Sequence, residues 1–209
     1  DLFLQFPEPL APRSRRVEID ERISRDGDAI VPIDENQVRR EANKLAKAGV
    51  EAIAVCFLHA YKNPAHERAA RDVIAAAHPE IAVSISSEVQ PELREYDRVS
   101  TTTANAYVQP LMEHYVRHLV DAFGKRGFRG RFHLTQSSGG LVAPEVAIRF
   151  PIRLLESGPA GGALASAHIG NRVGQADVIS FDMGGTTAKA CLIQDGTVDI
   201  APKIEAGRV

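Results

Sequence analysis

Apolar residues recur along this chain with two different periods, and the switches between them set out its elements. Val17, Ile19 and Ile23 alternate with polar neighbours, which predicts a strand, and Asp26-Gly27 turns the chain into a second short strand over 29–33. From Asp34 the period becomes helical. Val38, Ala42, Leu45 and Ala46 form one stripe, Asp34 is placed to cap it with Gln37 at the capping-box position, and Gly49 supplies the left-handed residue that ends it. Residues 50–58 are nearly all apolar, the mark of a central parallel strand buried on both faces. Asn63-Pro64 opens a second helix whose inward face is Ala69, Ala70, Val73, Ile74 and Ala77, and 81–85 reads as a further strand. Strand, helix, strand, helix, strand is an α/β layer pattern.

The polar stretch 88–97, broken by Pro91, reads as a linker or domain edge. Val108, Leu111, Met112, Tyr115, Val116, Leu119 and Phe123 then give a long helical stripe that begins or kinks at Pro110. A strand over 132–136, a tight turn over 137–140 and a short helix over 142–148 follow. Glu156 precedes a helix of small residues containing Gly161-Gly162. A glycine inside a helix costs about 1 kcal/mol against alanine, so a tight crossing with a second helix is expected there. Val178, Ile179 and Phe181 begin a strand, Ala188, Ala190 and Leu192 a second, and Asp195-Gly196 closes another hairpin.

The turn between those strands, Asp182-Met183-Gly184-Gly185-Thr186-Thr187, carries the chemistry. Gly184 and Gly185 bare backbone N–H groups, so a phosphate can approach without meeting a Cβ. Thr186 and Thr187 add hydroxyl donors, and Asp182 at the strand end can hold a hydrated Mg²⁺ that bridges phosphate oxygens. The segment is not a Walker loop, because no Gly-Lys-Ser/Thr follows, and not a dinucleotide fingerprint, because a strand follows the glycines. The plain alternative is a glycine hairpin beside a stray aspartate. Glu156 and Asp182 stand on neighbouring loops, so one carboxylate can position the metal while the other orients a water or substrate. Equally, Glu156 can serve only the dipole of its own helix. His59 ends a strand, where the loops of α/β sheets collect ligands; otherwise it is a turn histidine.

The 209 residues suffice for one large domain or two small ones, and 44% hydrophobic with 25% charged residues describes a soluble globule. A net charge of −2 gives no case for nucleic acid or an anionic membrane, no apolar run is long enough to span a bilayer, and no signal peptide is visible. Cys56 and Cys191 sit in apolar runs and read as buried, reduced thiols, which places the chain in the cytoplasm. No His/Cys cluster has metal-site spacing. Asp1 at the start and an end shortly after a hairpin suggest an internal piece of a longer protein.

The order carboxylate, small-residue helix, strand, Asp-x-Gly-Gly-Thr, strand is similar to the actin, sugar-kinase and Hsp70 ATPase fold. The resemblance implies an α/β chain with a partial actin-like ATPase fold, mixed sheets flanked by helices. More sharply, the chain resembles the hydantoinase/oxoprolinase family of hydantoinase A subunits, 5-oxoprolinases and subunits of ATP-dependent ketone carboxylases. The stretches that carry this are 56–67 (CFLHAYKNPAHE), 88–110 (EVQPELREYDRVSTTTANAYVQP), QSSGG at 136–140, ESGPAGG at 156–162 and FDMGGTTAK at 181–189. It implies that residues 1–98 are the C-terminal half of the family's N-terminal domain and 99–209 the start of its main domain. It also implies ATP and Mg²⁺ as cofactors, a cyclic amide substrate activated by phosphorylating its carbonyl oxygen, and a B-type partner subunit or domain. Ketone carboxylation, or an inactive scaffold when the piece is isolated, are the alternatives. Under this resemblance Gly184, Gly185, Thr186 and Thr187 hold phosphate, Asp182 the metal, Glu156 the water, and His59, Asn105 and Gln136 face the substrate. Lys189 departs from the Gly-Gly-Thr-x-x-Asp pattern of related hairpins, which removes a metal ligand there.

Overall fold

The computed structural model of this chain describes residues 8–201; Pro7 of the extended lead-in and the chain end from Ile204 lie outside them. The chain forms two compact units, one running to His118 with Ile148–Ile152, the other comprising Leu119–Ala147 and the chain from Arg153 onward.

In the first unit β1 (Arg22–Ile23) and β2 (Ala29–Val31) form a short antiparallel pair, turned at Gly27 with φ 100°. β1 is shorter than the alternation of 17–23 suggested. α1 (Glu35–Lys47) starts where expected, because the Asp34 carboxylate accepts the N–H of Gln37 at 3.0 Å. The Gln37 side chain does not complete the capping box. It accepts from the N–H of Asp20 at 2.7 Å and so ties the preceding segment to the helix. β3 (Ala52–Val55) and β4 (Ala82–Ile85) pair in parallel, Ala52 opposite Ala82 and Val55 opposite Ile85, with α2 (Ala65–Ala77) crossing between them. That sheet is two-stranded, and of β3 only Val55 is fully buried, so the strand is less central than its apolar run suggested. Val38, Ala42, Val55, Ala70, Ile74 and Ile85 close the core.

α3 (Ser86–Val89) and α4 (Glu95–Lys125) enter the stretch expected as a linker from its two ends and leave 90–94, with Pro91, irregular between them. α4 begins well before Pro110 and runs through it, and its buried face in the first unit is mostly polar. Arg98, Thr102, Asn105, Ala106 and Gln109 are buried; of the expected apolar stripe Val116 is buried at 0%, whereas Leu111 is 71% and Tyr115 53% exposed. Positions 98, 102, 105 and 109 do follow helical spacing, so the stripe exists but is polar. It is buried because it is hydrogen-bonded: Ser84 Oγ donates to Gln109 Oε1 at 2.9 Å, and Thr102 Oγ1 to the Arg98 carbonyl at 2.7 Å.

In the second unit β5 (Leu134–Thr135) and β6 (Leu141–Val142) make a hairpin around Gly139, φ 83°. α5 (Pro144–Arg149) and a 3-10 turn over Pro151–Leu154, of which Ile148–Ile152 belongs to the first unit, lead to α6 (Ser157–Arg172). β7 (Val178–Met183), β8 (Ala188–Gln194) and β9 (Thr197–Val198) form an antiparallel sheet in that order, the last turn made by Asp195 and Gly196 at φ 49° and 72°. The glycine pair of α6 does not mark a helix crossing. A Cβ on Gly161 would meet only the Thr135 side chain at 3.6 Å, and one on Gly162 nothing within 4 Å. The close approach is at Gly170, where a Cβ would lie 2.6 Å from the Gln175 carbonyl oxygen. Among the described residues no helix is long and apolar enough to cross a membrane.

Candidate phosphate hairpin

β7 and β8 pair from Val178 opposite Ile193 to Met183 opposite Ala188, which leaves Gly184 to Thr187 as the turn. The Gly184 N–H closes it on the Thr187 carbonyl at 3.0 Å, so that amide is committed. The N–H groups of Gly185 and Thr186 meet no acceptor among the described residues. Neither Gly184 nor Gly185 has a positive φ. A Cβ on Gly185 would touch nothing within 4 Å, and one on Gly184 would reach only the Thr187 carbonyl at 4.0 Å. Neither conformation nor packing therefore explains two glycines here, although glycine in such a position loses more conformational entropy than alanine.

The two faces of this hairpin differ. Ser180 and Ile193 are buried, on the face that α6 packs against, and by strand alternation Asp182 and Lys189 belong to that same face nearer the turn. Asp182 is solvent-exposed and has no ion-pair partner among the described residues. Lys189 instead donates to Glu156 Oε2. Glu156 is the N-cap residue of α6, held at φ 65° and ψ 17° with no hydrogen bond from its side chain to the helix. A left-handed glutamate is a strained residue of the kind that collects at functional sites. The pair is 39% and 38% exposed, so its attraction is screened and it contributes about 0–1 kcal/mol.

For Mg²⁺ the donor set fits. A magnesium ion keeps most of its waters and takes one or two carboxylates plus phosphate oxygens, and the accessible Asp182 beside the turn is one such carboxylate. No group of three or more His, Cys, Asp or Glu side chains able to hold a metal occurs among the described residues.

The weaker sequence candidates fall elsewhere. Gln136 lies in the second unit at the β5–β6 turn, its N–H bonded to the Gly140 carbonyl at 2.8 Å. His59 and Asn105 are in the first unit. His59 has φ 61° and a buried Nδ1 without a hydrogen-bond partner among the described residues, and it stands edge-on to Tyr61 with ring centroids 6.1 Å apart. Asn105 is fully buried. Its amide nitrogen donates to Ser84 Oγ at 2.9 Å and the Arg149 carbonyl at 3.1 Å, and its oxygen accepts from the Ile152 N–H at 3.2 Å.

Sequence reasoning did not find the polar centre of the first unit. Glu67 is fully buried and accepts from the Phe57 N–H at 2.9 Å, Ser86 Oγ at 2.5 Å and the Ser87 N–H at 2.8 Å. Arg98, 1% exposed, donates to the Phe57 carbonyl at 2.8 Å and lies over the Tyr61 ring at 5.5 Å. Burial, reinforced by the nearby Glu67 charge, pushes the Cys56 thiol up from 9.0 to about 12. The available signal was that Glu67 and Arg98, both charged, fall inside two of the motif stretches, where a merely solvated face would not need a particular residue type.

The chain is a mixed α/β protein with small sheets flanked by helices and an accessible Asp-x-Gly-Gly-Thr turn. The hydantoinase/oxoprolinase family profile matches residues 98–209, and the hydantoinase/oxoprolinase N-terminal region matches residues 1–78. The chain belongs to the hydantoinase/oxoprolinase family. It is 41% identical over 207 residues to an uncharacterized protein of Methanocaldococcus jannaschii, covering 99% of this chain and 30% of that one. It is 35% identical over 192 residues to the caprolactamase alpha subunit of Pseudomonas jessenii, covering 92% and 28%. The solved ATP-dependent caprolactamase of that organism aligns with TM-score 0.75 at 34% identity, over 83% of this chain and 25% of that one. A nucleotide-free acetone carboxylase aligns with TM-score 0.78 at 29% identity, over 92% and 27%. The chain thus spans less than a third of the length of these relatives.

Proposed function

We propose that this chain is part of an ATP-dependent hydrolase that opens cyclic amides by phosphorylating the carbonyl oxygen. The observation that carries the reading is the glycine pair at the β7–β8 turn, which neither strain nor packing requires. The Gly185 N–H, with the Thr186 and Thr187 hydroxyls, cradles phosphate, and Asp182 seats Mg²⁺. The metal, when bound, neutralises charge on the phosphate oxygens. Glu156 orients the water that attacks the activated ring carbon. Gln136, in the same unit as the hairpin, contacts substrate, while Asn105, whose amide is committed within its own unit, acts by holding Ser84 and the 149–152 segment in place. Support for an amide substrate comes from the caprolactamase relative, and the name of that relative as an alpha subunit supports a B-type partner subunit or domain.

The test uses the full-length polypeptide with its partner. ADP release is measured with a panel of lactams and cyclic imides, and separately with ketones plus bicarbonate. Stimulation by a cyclic amide is expected. Stimulation only by a ketone together with bicarbonate overturns the amide reading in favour of carboxylation, the activity named for the acetone carboxylase relative. The chain on its own, at less than a third of its relatives' length, is expected to show no turnover.

A further inference from the structure

Lys189 stands between two carboxylates and has a reason to leave the one it holds. Asp182 is its cross-strand partner in the β7–β8 ladder, so the two side chains rise from adjacent points on one face of the hairpin. The turn begins about 7 Å away along the strand. The lysine stem spans that distance, and its ammonium is a compact charge on a flexible chain. The Lys189 ammonium is held instead by Glu156 at the start of α6. The pair is open to water, 39% and 38% exposed, so it is held weakly. Glu156 makes no cap bond to α6 that would hold its carboxylate in place once the lysine has gone.

We propose that Lys189 is a positioning residue that exchanges anions. It pairs with Glu156, and it moves to the terminal phosphate of a bound nucleoside triphosphate, which releases the Glu156 carboxylate to receive the attacking water. This rests on the reading of the turn as a nucleotide site. A phosphate carries more charge and more acceptor oxygens than a carboxylate, and it would arrive on the face where Lys189 already projects. The exchange couples the loading of ATP to the freeing of the base, so that Glu156 is unmasked only when there is a phosphate to transfer. It also gives a role to the lysine where the related hairpin pattern has aspartate: a cation there contributes on its own part of the charge neutralisation that a metal ligand would have recruited.

The test titrates the full-length protein calorimetrically with Mg²⁺ and AMPPNP, and with Mg²⁺ and ADP. Lys189→Met is expected to weaken AMPPNP by about ten-fold or more while moving ADP by no more than about two-fold. Lys189→Arg, which keeps the charge, is expected to recover most of that loss. Glu156→Gln is expected to act in the opposite direction, leaving AMPPNP affinity unchanged or tighter while lowering kcat, because it frees the lysine and removes the base. Equal loss of AMPPNP and ADP in Lys189→Met, no loss at all, or equal weakening in Lys189→Met and Glu156→Gln overturns the exchange and leaves a structural bridge. Failure of both Lys189→Met and Lys189→Arg to fold overturns it in the same way. Asp182→Asn is the separate arm. Unchanged ATP hydrolysis in that variant sinks the nucleotide reading itself, and the exchange falls with it. Lost hydrolysis in Asp182→Asn with an unaltered Lys189→Met sinks the exchange alone.

Discussion

Glu67 and Asp182 show how differently an acidic side chain can be used within a single chain. Glu67 has no water contact, and the amides of Phe57 and Ser87 with the Ser86 hydroxyl satisfy its carboxylate. Removing it strands those donors in the interior, so Glu67→Ala is expected to lower stability by about 3 kcal/mol, read as a shift in the urea midpoint. Asp182 lies in solvent without an ion pair among the described residues, so Asp182→Ala is expected to leave stability within about 0.5 kcal/mol by the same measurement. Cys56 gives a third outcome at this scale. Its thiol is raised to about 12, so at ordinary pH almost none is thiolate, and iodoacetamide is expected to spare it until the chain unfolds. The folded state keeps the proton that the unfolded chain loses above 9.0, so this contribution is full below that pH and declines as pH rises toward about 12. Asp182 and its glycines were legible in the sequence because their meaning lies within six consecutive positions. Glu67 and Arg98 were not, because their partners come from α3 and the loop after β3, and their place inside the motif stretches does not say that those charges are buried.

α4 and α6 carry the lessons about elements. The apolar periodicity of 108–123 is real, yet within the first unit α4 buries mainly the polar stripe through Arg98, Thr102, Asn105 and Gln109, with Val116 the buried member of the apolar one. Periodicity reports that a helix forms; which face is buried depends on hydrogen-bond partners elsewhere, and those are invisible to a helical wheel. α6 separates its glycines by the space around them. Gly162 has open surroundings in a helix interior, so Gly162→Ala is expected to raise stability by about 0.5–1 kcal/mol. Gly170 abuts the Gln175 carbonyl, so Gly170→Ala is expected to lower it, because backbone on the other side has no rotamer with which to yield. Thermal melts of the two single variants read both signs. The α1 cap and the β7–β8 turn were legible because caps and hairpins are set by residues adjacent in sequence.

At the scale of the molecule, the face of the β7–β8 hairpin opposite α6 is apolar and open: Ile179 69%, Phe181 65%, Met183 72% and Leu192 54% exposed. An apolar patch of this kind is expected to bind a hydrophobic dye when the chain is studied alone, and Phe181→Ser to reduce the signal. The central claim concerns the opposite face and the turn beyond it. Its most direct measurement is ATP hydrolysis by the full-length protein across a magnesium titration, wild type against Asp182→Ala. Loss of turnover by about a hundred-fold or more, with the fold intact by circular dichroism, is the expected result. Turnover that persists in Asp182→Ala with the same magnesium dependence would contradict the assignment of this hairpin to the phosphates of ATP.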